Sequence, residues 1–372
     1  MPCDVLRVAR GVGDGVGREW FDEGMDAGVR ELERMLWAAA ACFAAGAVVG
    51  SAVLWGAARP FSGDGSVVIP IALVAAVIAA VAFTISTRMH RAGETAPMPP
   101  WQAAVSHLSA AAVTVAIAGV TGLGVLLAGE VLATGLQGLT LPALVGGLFS
   151  GVASALGGRL AFRMGVRLST QDIARLLTSF LVIGTLFAML TAADSAWWER
   201  SFSELGIGAG GWAFNGTVIV AGLLIATTGS YLGRDLHRML GDGALRQIAA
   251  VVLTWAGAGL ALAAVGLLPL DRVPVAHAIA AFSTLGLILA AVVLTTLQLR
   301  DVAPLRVLTI VLVVTVVVVA VIAFGFRMLS VTALEGIVVG LVLLWLTTFV
   351  QLLAVLAPEA SRPSARRSLL RA

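Results

Sequence analysis

Charge is scarce in this sequence. Only 12% of its 372 residues are charged, and lysine is absent, so all 24 basic side chains are Arg. A soluble globular chain carries about 25% charged residues, so the deficit excludes a cytosolic enzyme and an acidic disordered chain alike. Cysteine is nearly missing too: Cys3 lies in the polar N-terminal segment and Cys42 inside the first apolar run. Thiols so placed build neither a disulfide framework nor a metal cluster, which excludes a stapled secreted domain. The histidines His90, His107, His237 and His277 fall on segments that cannot meet at one ion, so no metal or other cofactor is expected. The G-x-S-x-G, H-E-x-x-H and Walker A patterns are also lacking.

What is present is hydrocarbon: 59% of the residues are hydrophobic and the mean hydropathy is +0.99. A bilayer core requires roughly 20 apolar residues per helix. Runs of that length occur near 35–58, 66–87, 101–128, 140–162, 173–193, 211–232, 247–268, 276–298, 306–326 and 335–357. The expected fold is an all-α polytopic membrane bundle of about 10 transmembrane helices. Arg159 and Arg163 cut into the fourth run, and their aliphatic stems let the charges reach the interface.

Sorting the Arg residues onto alternate connections tests this count. With the N-terminus inside, only Arg59, Arg200, Arg272 and Arg327 of the 24 fall outside. That bias follows the positive-inside rule, and nine or eleven spans break it. Both termini are predicted to be cytoplasmic, and a multi-pass protein of the plasma membrane is expected. Topology thus accounts for the basic isoelectric point, and no nucleic-acid partner is expected. Trp37, Trp55, Trp101, Trp197, Trp198 and Trp212 fall at span ends, where an amphipathic indole is most stable. Trp255 and Trp345 lie mid-span and are read as helix packing.

Four segments follow. Residues 1–34 are read as a cytoplasmic, disordered or short amphipathic tail, without the apolar run of a cleavable signal, so the first span is expected to be an uncleaved anchor. Residues 35–170 hold four spans, residues 171–357 a six-span module and residues 358–372 a cytoplasmic tail. Gly46 and Gly50, Gly147 and Gly151, and Gly336 and Gly340 each form G-x-x-x-G. This spacing lets helix backbones approach, either within the chain or across a homo-oligomeric seam.

No Asp, Glu or Arg occupies the centre of a predicted span, which weakens the case for a proton-coupled pump. The polar residues gather instead at the outer end of the six-span module. Trp198 and Ser203 follow the fifth span, Asn215 begins the sixth, Asp271 joins the seventh to the eighth, His277 opens the eighth and Glu335 opens the tenth. Structural roles suit each of them. Asp194, Ser203 and Asp271 suit helix caps, Asn215 a bond to a neighbouring helix, His277 a structural bond and Glu335 the dipole of its helix.

Ser203-Glu204-Leu205-Gly206, then Phe214-Asn215-Gly216 with Gly222, then Gly266 to Asp271, His277, Glu335 and Trp345 resemble the signatures of the domain of unknown function 998 family. The resemblance covers about half the chain, with the four leading spans similar to an extension seen in long actinobacterial members. In outline the family is more loosely similar to the eukaryotic Frag1, DRAM and Sfk1 multispan proteins. The resemblance implies six core helices, membrane localisation, no established activity, and a polar signature of Ser203, Asn215, Asp271, His277 and Glu335.

Three functions compete. In the first, an outer polar pocket of Trp198, Ser203, Asn215, Asp271, His277 and Glu335 binds a lipid or glycolipid head group, making membrane lipids the expected partners. The second is a secondary transporter with a three-plus-three helical repeat. The third is an outer-face enzyme with His277 as base, oriented by Asp271 or Glu335. The topology itself is testable. Green fluorescent protein fused to the C-terminus is expected to fluoresce, and alkaline phosphatase fused after Gly206 to be active; the reverse pattern inverts the orientation.

Overall fold

The computed structural model describes residues 5–92, 100–166, 168–299 and 302–356, with side chains described from Val29 onward except across 91–103. The C-terminal tail, Cys3 and the side chain of Trp101 lie outside the described residues. Ten helices follow in order: α1 (Val5–Val53), α2 (Val68–Ala92), α3 (Pro100–Ala133), α4 (Ala143–Val166), α5 (Thr170–Leu190), α6 (Gly211–Leu240), α7 (Leu245–Leu267), α8 (Pro274–Leu297), α9 (Ala303–Ala320) and α10 (Val331–Leu356). Each contains a stretch long and apolar enough to cross a membrane. The protein is therefore a multi-pass helical membrane protein. Helix α1 begins at Val5, inside the segment read from sequence as a disordered or short amphipathic tail.

Helix exteriors carry the apolar side chains that a bilayer solvates. On α9, Val307, Ile310, Val311, Val314, Val317 and Val318 are all exposed. An apolar surface this continuous is stable against lipid and a liability in water. Inside the helices, six threonine hydroxyls are satisfied locally: Thr84, Thr178, Thr217, Thr228, Thr284 and Thr296 each donate to the carbonyl four residues back. Hydrocarbon offers no other partner for these groups.

The first four helices form one group, with α4 packed against α1 and α2, and α2 against α3. On α1, Gly46 and Gly50 face Ser154 and Ser150; on α4, Gly147 and Gly151 face Ala47 and Phe43. These two G-x-x-x-G pairs therefore close an internal seam. Gly336 instead faces the Phe202 ring, and Gly340 faces open space. The α1–α2 and α3–α4 connections pair as a short antiparallel ladder, β1 (Arg59–Pro60) with β2 (Thr140–Leu141), over Leu54, Phe61, Val67 and Ile71. Neither strand has enough residues for a periodic signal in the sequence. Helix α3 joins this group to the rest through α5 and α6, with Gly119 admitting the Phe180 ring.

The six remaining helices close around aromatic side chains. Trp255 and Trp345 are 1% and 0% exposed, which makes them core residues as the mid-span reading expects. Their rings stack with centroids 6.3 Å apart, and Trp345 stacks on Phe349 at 5.0 Å. Each indole N–H also finds a hydroxyl: Trp255 Nε1 donates to Thr295 at 3.1 Å and Trp345 Nε1 to Thr309 at 2.8 Å. Buried indoles require such partners.

Helices α6 and α7 cross at Gly222 and Gly259, where each glycine faces the carbonyl of the other. A methyl group at either position meets backbone, which yields less than a side chain would. Gly259→Ala and Gly222→Ala are expected to destabilise the protein by about 1–3 kcal/mol, the usual cost of overpacking. Thermal unfolding in detergent measures this, with Gly340→Ala near wild type as the control.

Candidate functional site

Between α5 and α6 the chain leaves the helical ladder and makes two 3₁₀ turns, Trp197–Glu199 and Phe202–Gly206. Irregular backbone at a bundle end must find partners from neighbouring elements. The second turn is tied to three helices, two of them through its backbone. Glu335 of α10 accepts from the Phe202 N–H at 2.8 Å through Oε2. Asn215 of α6 donates through Nδ2 to the Gly206 carbonyl at 3.0 Å. His277 of α8 meets Ser203 Oγ through Nε2 at 2.9 Å.

The other ring nitrogen of His277 lies 2.7 Å from the Leu268 carbonyl oxygen. A carbonyl oxygen only accepts, so Nδ1 carries the proton and, in the neutral ring, Nε2 accepts from the Ser203 hydroxyl. Leu268 is the C-terminal cap of α7, whose last carbonyls have no partner within the helix. His277 thus ties the end of α7 to the 3₁₀ turn, and at 5% exposure it does so out of contact with solvent. Ser203, Asn215 and Glu335 are half-buried around it.

The remaining candidates stand apart from this network. Asp271 is exposed on the α7–α8 turn. It does not cap α8, whose N-cap is Val273 and has no side-chain bond. Ser203 is not a cap either, because its hydroxyl is directed to His277. Asn215 bonds the preceding loop rather than a neighbouring helix. Asp194 is not a cap either: its Oδ1 accepts from the Ala196 N–H at 2.8 Å, and Ala196, the N-cap of the first 3₁₀ turn, has no side-chain bond. Trp198 is 56% exposed, while its neighbour Trp197 packs on the Phe202 ring at 5.3 Å. Arg200 pairs with Asp194 and, at 3.3 Å, with Glu204 along the rim of the same segment.

A second polar knot, at the opposite end of the bundle, was not legible as a unit. Buried Asp235 accepts from Thr170 Oγ1 at 2.5 Å, Arg234 Nε at 3.1 Å and Arg238 at 3.4 Å, locking α6 to the start of α5. Beside it His237 Nε2 meets Asp242 at 2.7 Å. Helix α5 starts with a capping box, Ser169 and Asp172 bonding one another's backbone N–H. The signal was present in the run Arg234-Asp235-Leu236-His237-Arg238, an acid among bases at a helix end.

Fold and site together define a polytopic helical membrane protein with a self-satisfied polar network at one end of its second half. Residues 173–352 match the family described as "Protein of unknown function (DUF998)", and the six-helix half belongs to that family. Helices α1 to α4 precede the matched residues. No curated protein and no solved structure matches the chain.

The network predicts a graded response to substitution. Glu335→Ala leaves the Phe202 N–H unpaired and is expected to cost about 1–3 kcal/mol, whereas exposed Asp271→Ala is expected to stay within about 0.5 kcal/mol of wild type. Thermal unfolding of both variants in one detergent checks the order, and equal losses count against it.

Proposed function

We propose that this DUF998 protein holds a lipid or glycolipid head group at the outer end of its six-helix half, in the plasma membrane with both termini cytoplasmic. The observation that carries this reading is the gathering of Ser203, Asn215, His277 and Glu335 around one 3₁₀ turn at the end of the bundle. The acceptor positions of Asn215 and Glu335 beyond their single bonds offer a polar ligand hydrogen-bonding capacity. Trp198 and Trp212 are exposed near the same turn, suited to the glycerol or sugar region beside a head group. Exposed Asp271 and Arg272 add charge of both signs at that end.

The interior favours this reading over a transporter. A substrate path through a three-plus-three repeat needs a polar passage at mid-depth. There the six-helix half holds the Trp255, Trp345 and Phe349 stack and the Gly222–Gly259 crossing.

Mass spectrometry of lipid co-purified with the full chain tests the proposal. Wild type is expected to retain a defined lipid class, and Trp198→Ala and Asn215→Ala to lose most of it while eluting as the folded protein. Trp198 makes no tie to the network, so its loss separates binding from folding. Unchanged lipid in both variants sinks the reading.

A further inference from the structure

We propose that Ser203 and His277 form a nucleophile and general-base pair acting on the carboxylic ester of a membrane lipid. For its substrate class the proposal rests on the head-group reading.

Three observations converge on the pair. The Leu268 carbonyl at 2.7 Å fixes the His277 tautomer and orientation, the service a third group performs for a catalytic imidazole. The ring then presents Nε2, the basic nitrogen, to Ser203 Oγ at 2.9 Å, within the range for proton transfer. Glu335 bonds the N–H of Phe202, the residue before Ser203, so a carboxylate stands beside the place where imidazolium charge forms.

A structural account covers only part of this. His277 Nδ1 caps an orphan carbonyl of α7, and Glu335 and Asn215 satisfy the backbone of the 3₁₀ turn. The Ser203 hydroxyl satisfies no backbone group. It is half-buried at the end of the bundle, and its ring partner is buried behind it.

The step balances as ester hydrolysis. Ser203 Oγ bonds the ester carbonyl carbon and its proton passes to His277 Nε2. Collapse of the tetrahedral intermediate breaks the ester C–O bond, and the leaving alcohol oxygen takes that proton. Water then attacks the acyl-serine, gives one proton to Nε2, and releases the carboxylic acid as Ser203 regains a proton from the ring. Ester and water are consumed, and acid and alcohol appear.

A fluorophosphonate probe on the full chain in detergent reads the first half of this chemistry. Ser203 Oγ displaces fluoride and keeps the phosphonate, which peptide mass spectrometry localises. Wild type is expected to be labelled at Ser203, and Ser203→Ala to lose the label. His277→Asn retains a donor for the Leu268 carbonyl but removes Nε2; its labelling rate is expected to fall about 100-fold, the usual worth of a general base. Thermal unfolding confirms that each variant is folded. An unlabelled Ser203 in folded wild type, or equal labelling in folded His277→Asn, overturns the pair. If wild type retains lipid while Ser203 stays unlabelled, the pair falls and head-group binding stands. Labelling that depends on His277 in a protein retaining no lipid supports the pair and removes head-group binding.

Discussion

A bilayer interior supplies no hydrogen-bond partners, and this one constraint shapes the protein at every scale. Within helices it explains why threonines turn back onto their own carbonyls and why the indoles of Trp255 and Trp345 each meet a hydroxyl. Between helices it admits glycine crossings, because backbones that are already paired lose nothing by touching. At the bundle end it becomes more demanding. The Phe202–Gly206 turn has left the helical ladder, and its groups draw on Glu335 and Asn215 from two different helices. The polar signature is first a solution to the problem of burying irregular backbone.

That solution has a surplus. Glu335, Asn215 and the Nδ1 side of His277 each serve one backbone amide or carbonyl. The contact between His277 Nε2 and Ser203 Oγ employs neither. Polar side chains at membrane depth carry a desolvation cost unless paired, and an apolar pair serves packing equally well. A buried imidazole held in one tautomer and aimed at a hydroxyl is therefore the part of the network that stability does not demand.

Much of this was legible from residues alone, for physical reasons. Span count followed from run length and Arg placement, because the bilayer acts on each helix separately and leaves its mark in local composition. The packing of Trp255 and Trp345 followed from their mid-span positions. The location of the polar residues at one end also followed, since span order fixes which connections share a side. Pairing did not follow. Ser203 and Asp271 look equivalent in sequence, as hydroxyl and carboxylate near helix ends, yet Ser203 bonds His277 and Asp271 faces solvent. What separates them is how α7 and α8 lean on the α5–α6 connection, a property of interhelical packing that periodicity does not encode. The β1–β2 ladder and the Asp235 knot were missed for the same reason: each joins segments distant in sequence through a few side chains or amides.

The two ends of the six-helix half are bound by opposite logics. At the end where Arg is concentrated, Asp235 gathers Thr170, Arg234 and Arg238 into charge-assisted bonds that join α5 to α6. At mid-depth, stacked aromatics and the Gly222–Gly259 contact fill the space between helices. The knot is spent on ties between helices, and the space at mid-depth is occupied by carbon. Among the described residues, the other end combines half-buried hydroxyl, amide and carboxylate groups with exposed indoles. A ligand that reached the middle of the bundle would have to displace packed tryptophans. One that reached the 3₁₀ turn would meet Ser203 with an imidazole already behind it.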